Sequence, residues 1–347
     1  MSPISTQWTC LTSSARLQRS SQTLAVIANQ AWIFGGELQP RQPVDNQLDV
    51  VELSKTSPNM QTLAATDGKE APTPRVGSAS TVIGNAIYLF SGRGGTAMAP
   101  IEENGKLWTY EPAASRWRLI SPADSTAPYP AARSYHTMTS DGHSTIYVHA
   151  GCPEAGRLSD LWAFDVGAKA WKTLASAPDP PRGGTSIAYC ASHLYRMSGF
   201  DGKTEQGGYL DVYDPAHDSW STITYPANGK SGPEARSVGA LLAVKLNGKD
   251  YLVTLFGERD PSSLGHAGAG KMLGDAWMFD VAAESWAKLE PKGDWPHPRG
   301  WFDADAVKGA DEGSAVIVVH GGLAEDNNRL GDIWILELED TSVAPAP

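Results

Sequence analysis

The chain has 347 residues, of which 35 are Gly and 24 are Pro, and only 19% are charged. Gly and Pro cost a helix interior roughly 1 and 3 kcal/mol per site, so this composition excludes a helix-rich protein, while an apolar content of 41% excludes a disordered one. The net charge of −11 opposes a phosphate-binding surface, so we expect neither nucleic acid nor an anionic membrane as a partner. Many short strands joined by turns are predicted.

The N-terminal segment and the cysteines indicate in which cellular compartment the protein is expected. The first residues, MSPISTQW, contain neither the basic region nor the apolar region of a signal peptide, so we expect none. No apolar run reaches 18 residues, so we expect no membrane span. Cys10, Cys152 and Cys190 are odd in number and far apart, which argues against a disulfide framework. A soluble, cytoplasmic protein is predicted.

A strand motif of apolar and aromatic residues that ends on an acid recurs six times along the chain. The repeats begin 49 to 66 residues apart, close to the period of about 50 residues that is typical of four-stranded kelch propeller blades. The six motifs are Leu48-Asp-Val-Val-Glu52, Leu107-Trp-Thr-Tyr-Glu111, Leu161-Trp-Ala-Phe-Asp165, Leu210-Asp-Val-Tyr-Asp214, Ala276-Trp-Met-Phe-Asp280 and Ile333-Trp-Ile-Leu-Glu337.

Two further markers keep the same phase. Each repeat has a glycine pair or its remnant before the motif, and four have a short strand that opens with Trp117, Trp171, Trp220 or Trp286 after it. The sixth repeat lacks this last strand, but Trp8-Thr-Cys-Leu11 supplies one at the other terminus. We therefore predict an all-β, six-bladed kelch-type β-propeller with four-stranded antiparallel blades. It would be a single domain over residues 1–340 with a disordered tail at 341–347, and residues near 7 to 12 would pair with 332 to 338.

Each repeat also carries an arginine before its glycine marker. One position per blade would form a ring around the channel. These arginines either fasten blades through carbonyl hydrogen bonds or contact a ligand. Arg93 and Arg157 stand off the ring on loops that follow glycine-marked strands, where they could grip a sulfate, phosphate or carboxylate. The six ring arginines are Arg19 (or Arg16), Arg75, Arg133, Arg182, Arg236 and Arg299.

The longest repeat has its excess in a glycine-rich loop that contains Glu258, Asp260 and His266. Two carboxylates and one imidazole are the set that non-haem Fe(II) prefers, so this loop is a candidate metal site. Glu37 is a candidate general base, or else the salt-bridge partner of an arginine. The stretch Gly265 to Lys271 imitates a phosphate loop, but Met272 replaces the required hydroxyl residue, so no nucleotide cofactor is expected.

These residues resemble the plant nitrile-specifier, epithiospecifier and thiocyanate-forming proteins, a group of kelch propellers. The similarity runs in order along nearly the whole chain. Its main segments are Phe34-Gly-Gly-Glu-Leu-Gln-Pro-Arg-Gln-Pro-Val-Asp45, Ala132-Arg-Ser-Tyr-His-Thr-Met138, Gly199-Phe-Asp-Gly202, Ala235-Arg-Ser-Val238, His266-Ala-Gly-Ala-Gly270, Pro298-Arg-Gly-Trp301 and Asn328-Arg-Leu-Gly-Asp332.

The resemblance implies a lyase or isomerase that redirects the breakdown of a glucosinolate aglucone, a thiohydroximate-type molecule. Fe(II) would be held by Glu, Asp and His, Arg93 and Arg157 would hold the departing sulfate, and Trp301 would line the pocket. One departure falls on the metal loop, because Ser262 occupies the middle ligand position of the family and Asp260 is the only acid between Glu258 and His266.

Three functions remain open from the sequence. The first is a nitrile-specifier-like, metal-assisted lyase or isomerase of secondary metabolism, with a pocket at one end of the channel. Its catalytic residues would be Glu37 and His266, its metal ligands Glu258, Asp260 and His266, and its substrate-binding residues Arg93, Arg133, Arg157, Arg236, Arg299 and Trp301. The second is a metal-independent cyclase or isomerase, and the third is a scaffold that binds a protein partner.

Overall fold

The computed structural model describes residues 4–64, 71–265, 268–290 and 292–342. His266 and the tail at 343–347 lie outside the described residues. Within them, strands dominate, and the helical segments are two single 3₁₀ turns, Ala15–Leu17 and Pro112–Ala114. No helix in these ranges is long and apolar enough to cross a membrane.

The longer described strands form six antiparallel sheets that follow one another along the chain, and we number them as blades 1 to 6. From the channel outward, the four main strands are Ser20–Ile27, Gln30–Gln39, Leu48–Glu52 and Met60–Leu63 in blade 1; Ala79–Ile83, Ala86–Phe90, Leu107–Glu111 and Arg116–Ile120 in blade 2; Thr137–Ser140, Thr145–Gly151, Leu158–Asp165 and Ala170–Leu174 in blade 3; Ser186–Cys190, His193–Met197, Tyr209–Asp214 and Ser219–Thr224 in blade 4; Ala240–Leu246, Lys249–Leu255, Ala276–Asp280 and Ser285–Lys288 in blade 5; and Asp303–Lys308, Ser314–His320, Asp332–Asp340 and Ile4–Ser13 in blade 6.

Short strands extend the loops at the ends of the blades. They are Gln42–Pro43, Arg75–Val76, Arg93–Gly94, Ala99–Pro100, Glu258–Arg259 and Lys271–Met272.

The innermost strands of neighbouring blades contact one another in a closed circle around a central channel of about 450 Å³. Inner and second strands are joined by tight turns, as in Ile27 to Gln30, and the later strands add outward in order. The predicted propeller is confirmed.

The first strand of the chain completes the last blade, as the sequence predicts. Ile4–Ser13 pairs antiparallel with Asp332–Asp340, a longer ladder than the predicted 7 to 12 against 332 to 338, with an irregularity between Cys10 and Thr12. This pairing covers the strand edge that the C-terminal blade would otherwise expose.

The hydrophobic core lies between the blades. In the described part of the chain, one apolar cluster fills each interface between neighbouring blades. The tryptophans that open the outer strands span these interfaces: Trp171 of blade 3 packs on Phe90 of blade 2 and donates to the Gly105 carbonyl at 2.7 Å. Their regular spacing therefore reflects blade-to-blade packing.

Candidate active site at one mouth of the channel

A closed circle of backbone hydrogen bonds surrounds one end of the channel. At or just before the start of each inner strand, one N–H donates to the carbonyl of the equivalent residue in the preceding blade, at 2.8 to 3.0 Å, and Ser21 closes the circle by donating to Trp301. We call these residues the mouth ring: Ser21, Gly77, Tyr135, Gly184, Val238 and Trp301.

Every mouth-ring residue has a positive φ, between 48° and 60°. Gly77 and Gly184 adopt this region at little cost, but Val238 is β-branched and Trp301 is bulky, for which it is unusual. The backbone is thus held in a sparsely populated conformation in order to close the circle, and the side chains of the ring stand at the mouth. Strain of this kind clusters at functional sites.

The ring arginines lie two residues before the mouth ring and are 0 to 1% exposed. Arg133 donates to the Ala150 carbonyl of its own blade and forms a bidentate pair with Asp160, with distances of 2.6 and 2.8 Å. Arg236 pairs in the same way with Asp275, and Arg299 with Asp332.

The backbone carbonyls of these arginines bond the preceding blade, as in Gly151 N–H to Arg182 at 3.0 Å. These contacts hold neighbouring blades together, which is the structural one of the two roles that the sequence leaves open for these arginines. The pocket described next is not lined by three of the predicted substrate-binding residues, Arg133, Arg236 and Arg299.

A pocket of about 150 Å³ lies beside the mouth ring and is lined by residues of blades 3, 4, 5 and 6. It is smaller than the roughly 300–1,000 Å³ of sites for drug-sized ligands, and its walls are mostly apolar. Arg157, Glu258 and Trp301, three of the predicted site residues, line it together although they come from three different blades. The other lining residues are Tyr135, Cys152, Gly183, Gly184, Phe200, Ser237, Val238, Pro261, Ser262 and Gly265.

Arg157 supplies the positive charge of the pocket. Its guanidinium lies 5.1 Å from the centre of the Phe200 ring, no carboxylate of the described residues forms an ion pair with it, and its buried Nε has no hydrogen-bond partner. Arg93, in contrast, donates to Ser134, Met98 and Pro153 at 3.1 to 3.2 Å and does not line the cavity. Arg157 is therefore free to bind an anion, while Arg93 supports the adjoining loops.

Glu258 supplies the carboxyl group. Its strand, Glu258–Arg259, pairs with Lys271–Met272, and its Oε1 accepts a hydrogen bond of 2.6 Å from the Gly270 N–H. The side chain is 4% exposed, and burial raises the pKa of Glu258 to about 7.

The described residues do not assemble the predicted metal site. The Asp260 side chain is 76% exposed and faces Arg259 at 3.6 Å, so it does not converge with buried Glu258. His266 lies outside the described residues, and within them no group of three or more His, Cys, Asp or Glu side chains could hold a metal ion. Among the described residues, Glu258 and Asp260 therefore do not converge on one metal ion.

Glu37 lies on the blade 1 side of the mouth and does not line the pocket. It is 8% exposed, its Oε2 accepts from the Arg41 N–H at 2.7 Å, and its Oε1 lies 3.5 Å from Arg329. Burial raises the pKa of Glu37. This geometry matches the salt-bridge alternative drawn from the sequence.

Tyr135, Phe200 and Val238 were not singled out by sequence reasoning although they line the pocket. A signal for two of them exists, because Tyr135 and Val238 stand two residues after a ring arginine, as Trp301 does. Burial raises the pKa of Tyr135 to about 12, so its hydroxyl remains a hydrogen-bond donor at neutral pH.

The fold and this site define a six-bladed propeller with a small, mostly apolar pocket at one channel mouth. Residues 21–257 match the KLHDC2/KLHL20/DRC7 Kelch-repeats domain, so the chain belongs to the kelch-repeat family. A solved structure titled YjhT superimposes with a TM-score of 0.69 over 93% of this chain and 95% of that one, at 14% identity, which supports the fold alone.

Similar proteins differ widely in size. The N-(sulfonatooxy)prop-2-enimidothioate sulfolyase of Thlaspi arvense is 26% identical over 93% of this chain and 94% of its own length. The flagellar outer arm dynein alpha chain of Chlamydomonas reinhardtii is 28% identical over 62% of this chain but 5% of its own length. Tip elongation aberrant protein 1 of Schizosaccharomyces pombe is 28% identical over 54% of this chain and 16% of its own length. The resemblance to nitrile-specifier proteins is confirmed by the first of these.

Proposed function

We propose that this protein is a nitrile-specifier-like lyase or isomerase that acts on a small, sulfate-bearing thiohydroximate in the pocket beside the mouth ring. The observation that carries the proposal is the meeting of Arg157, which forms no ion pair among the described residues, and a buried Glu258 in one small, mostly apolar cavity. The name of the Thlaspi arvense relative, a sulfolyase acting on an N-sulfonatooxy compound, supports the substrate class.

Arg157 would bind the sulfate group. Loss of sulfate breaks the N–O bond, and the electron pair of that bond leaves on the sulfate oxygen. The electron pair of the C–S bond then forms the third C–N bond of a nitrile, and the sulfur leaves in the elemental state. No oxidant or reductant enters. Negative charge grows on the departing oxygens, and a guanidinium in an apolar cavity stabilises it more strongly than water would.

Glu258 would contact the other end of the substrate. It is the carboxyl group on the pocket wall, and Trp301 and Phe200 provide flat apolar surfaces on which an alkyl or alkenyl side chain could pack. The pocket volume favours a short side chain. We assign no step to Fe(II), because Asp260 does not converge with Glu258.

The test is an assay with a thiohydroximate O-sulfate released in situ from a short-chain glucosinolate, with sulfate and organic products measured against the spontaneous reaction. We expect the wild type to change the product ratio or the rate. We expect Arg157→Gln to lower kcat/KM about 100-fold and Arg157→Lys to recover part of the loss.

Arg118→Gln is the matched control, since Arg118 is half exposed on an outer strand, pairs only with Glu111 among the described residues, and should leave the activity unchanged. A wild type that alters neither the rate nor the products would overturn the proposal. Equal activity of wild type and Arg157→Gln would overturn the role of Arg157.

A further inference from the structure

Blade 4 contains a buried positive charge that the other blades do not have. Within the described residues, every other ring arginine has an acidic partner on the same blade: Arg19 with Asp49, Arg75 with Glu103, Arg133 with Asp160, Arg236 with Asp275 and Arg299 with Asp332. Arg182 has none. Its Nε donates to Pro180 at 3.0 Å and its Nη1 to Ser198 at 3.2 Å, while its Nη2 has no partner.

The reason is a substitution at the position of the acid. Tyr209 follows Arg182 by 27 residues, the separation of Asp160 from Arg133, and it stands just before Leu210 as Asp160 stands before Leu161. Its ring lies 5.3 Å below the Arg182 guanidinium, and its hydroxyl donates to Gln206 at 2.8 Å. Tyr209 thus packs on the arginine without neutralising it.

A second arginine adds to the excess. Arg196 is 0% exposed and bonds Asp211 through Nε and Nη2, at 3.0 and 2.8 Å, but its Nη1 has no partner. Blade 1 also holds a second arginine beside its ring arginine, but there Arg16 and Arg19 face two carboxylates, Asp45 and Asp49. Blade 4 has two guanidiniums for the single carboxylate of Asp211.

The two unpartnered arginine atoms belong to one interface, that between blades 3 and 4. Arg196 lies 5.8 Å from the centre of the Trp220 ring, and buried His149 of blade 3 lies 6.0 Å from the same ring. The Arg182 backbone bonds Gly151, at the end of the His149 strand, and Leu158, at the start of the next strand of blade 3. His149 Nε2 is a further buried atom without a partner.

We infer that Arg182 and Arg196 form an internal binding site for a small inorganic anion of about the size of chloride. A buried charge is costly unless it is paired, and a monoanion between the two guanidiniums would restore the neutrality that Asp160 or Asp275 gives elsewhere. His149 donates from Nδ1 to the Asp160 carbonyl at 2.8 Å, so its Nε2 presents an acceptor. A water molecule that accompanies the anion would donate to it.

The electrostatics agree with this geometry. Burial, followed by the nearby Arg182, lowers the pKa of Arg196 to about 10, and burial with Arg196 lowers the pKa of His149 well below its usual range. Arg182 directly precedes Gly183 and Gly184 of the pocket. The anion would therefore stabilise the segment that carries Gly183 and Gly184 without itself lining the pocket. This inference is independent of the proposed reaction.

The test compares thermal unfolding in sodium gluconate and sodium chloride at constant ionic strength. We expect the wild-type Tm to rise with chloride and then saturate, since a ligand that binds only the folded state stabilises it. Crystals soaked in bromide should show an anomalous peak between the Arg182 and Arg196 side chains.

Tyr209→Asp restores the missing acid and should abolish both the chloride-dependent rise and the bromide peak. Thr224→Asp adds the same charge at an exposed position paired with Tyr209 across the blade, and it should retain both. If Tyr209→Asp does not fold, Arg182→Met removes the excess charge instead and should have the same effect. Equal wild-type Tm values in the two salts without a bromide peak would overturn the inference, as would an undiminished chloride effect in Tyr209→Asp.

Discussion

Two acids that stand only two positions apart in the sequence have opposite environments at the pocket. Glu258 follows the second strand of blade 5 and is buried, whereas Asp260 has a φ of 50° and an exposed side chain. The sequence predicts both as metal ligands, because spacing alone cannot show that one side chain is buried and the other exposed. The nearest charged neighbour of Asp260 is Arg259.

This difference predicts unequal effects of removing the two charges. Glu258→Gln should lower kcat/KM by roughly tenfold to a hundredfold, the loss expected when a charged hydrogen-bonding group that contacts the substrate is removed. Asp260→Asn should leave it unchanged, because an exposed side chain does not reach the substrate. The sulfate-release assay measures both.

Iron analysis of the same two variants distinguishes a pocket in which Glu258 contacts the substrate directly from a site in which Glu258 and Asp260 bind a metal. An equally large loss of activity in Asp260→Asn, together with loss of stoichiometric iron from protein prepared with Fe(II), would contradict our assignment. It would instead restore the three-ligand loop with His266.

The roles of the arginines also exceed what sequence can predict. Their one-per-blade spacing identifies the ring, but their acidic partners stand up to 39 residues further on, so the pairing depends on the finished blade. Arg157 is not part of this ring, and the sequence selects it by its place on a loop after a glycine-marked strand and by the resemblance to known proteins. Its free charge becomes visible when the neighbouring carboxylates are located.

At the level of elements, the inner strand of blade 6 is joined to that of blade 1 by side chains. Asp303 Oδ2 accepts from the Leu24 N–H at 2.6 Å, and Asp305 Oδ2 accepts from the Val26 N–H at 2.7 Å. Both acids stand on the channel wall, where desolvation raises the pKa of Asp303 to about 7 and that of Asp305 to about 6. No repeat motif marks these acids.

The raised pKa of Asp303 predicts how its contribution to stability changes with pH. Between the ordinary value near 4 and about 7, the folded state holds a proton that the unfolded state has released, so this contribution falls as pH rises through that window. Asp303→Asn removes the titration but keeps an oxygen for the Leu24 N–H. We expect a higher Tm than wild type at pH 8 and a flatter change between pH 5 and pH 8.

Thermal unfolding at the two pH values checks this expectation against Glu312→Gln. Glu312 lies in the loop after the same strand and is 75% exposed, so its variant should keep the wild-type change with pH. A Tm difference between pH 5 and pH 8 that is the same in Asp303→Asn and wild type would count against the prediction.

At the level of the whole molecule, the repeat pattern predicts the blades, their order and the closing strand because these follow from burial with a fixed period. The mouth ring is not predictable in this way. Gly77 and Gly184 suggest a turn, but Tyr135, Val238 and Trp301 adopt the same positive φ, and only closure of the full circle compensates their strain. The pocket likewise exists only where loops of four blades meet.

The N-terminal strand completes the last blade, and it therefore stabilises the entire propeller. Trp8 is 2% exposed and packs against Phe256, Trp295 and Trp334, with ring centres 5.5 to 6.4 Å apart. Trp8→Ala should therefore lower the free energy of unfolding by about 3–5 kcal/mol, as truncation of large buried aromatics does. Cys10→Ala, at an exposed position of the same strand, should change it little. Chemical denaturation of the two variants measures the difference, and a Trp8→Ala protein as stable as Cys10→Ala would show that the last blade does not depend on its borrowed strand.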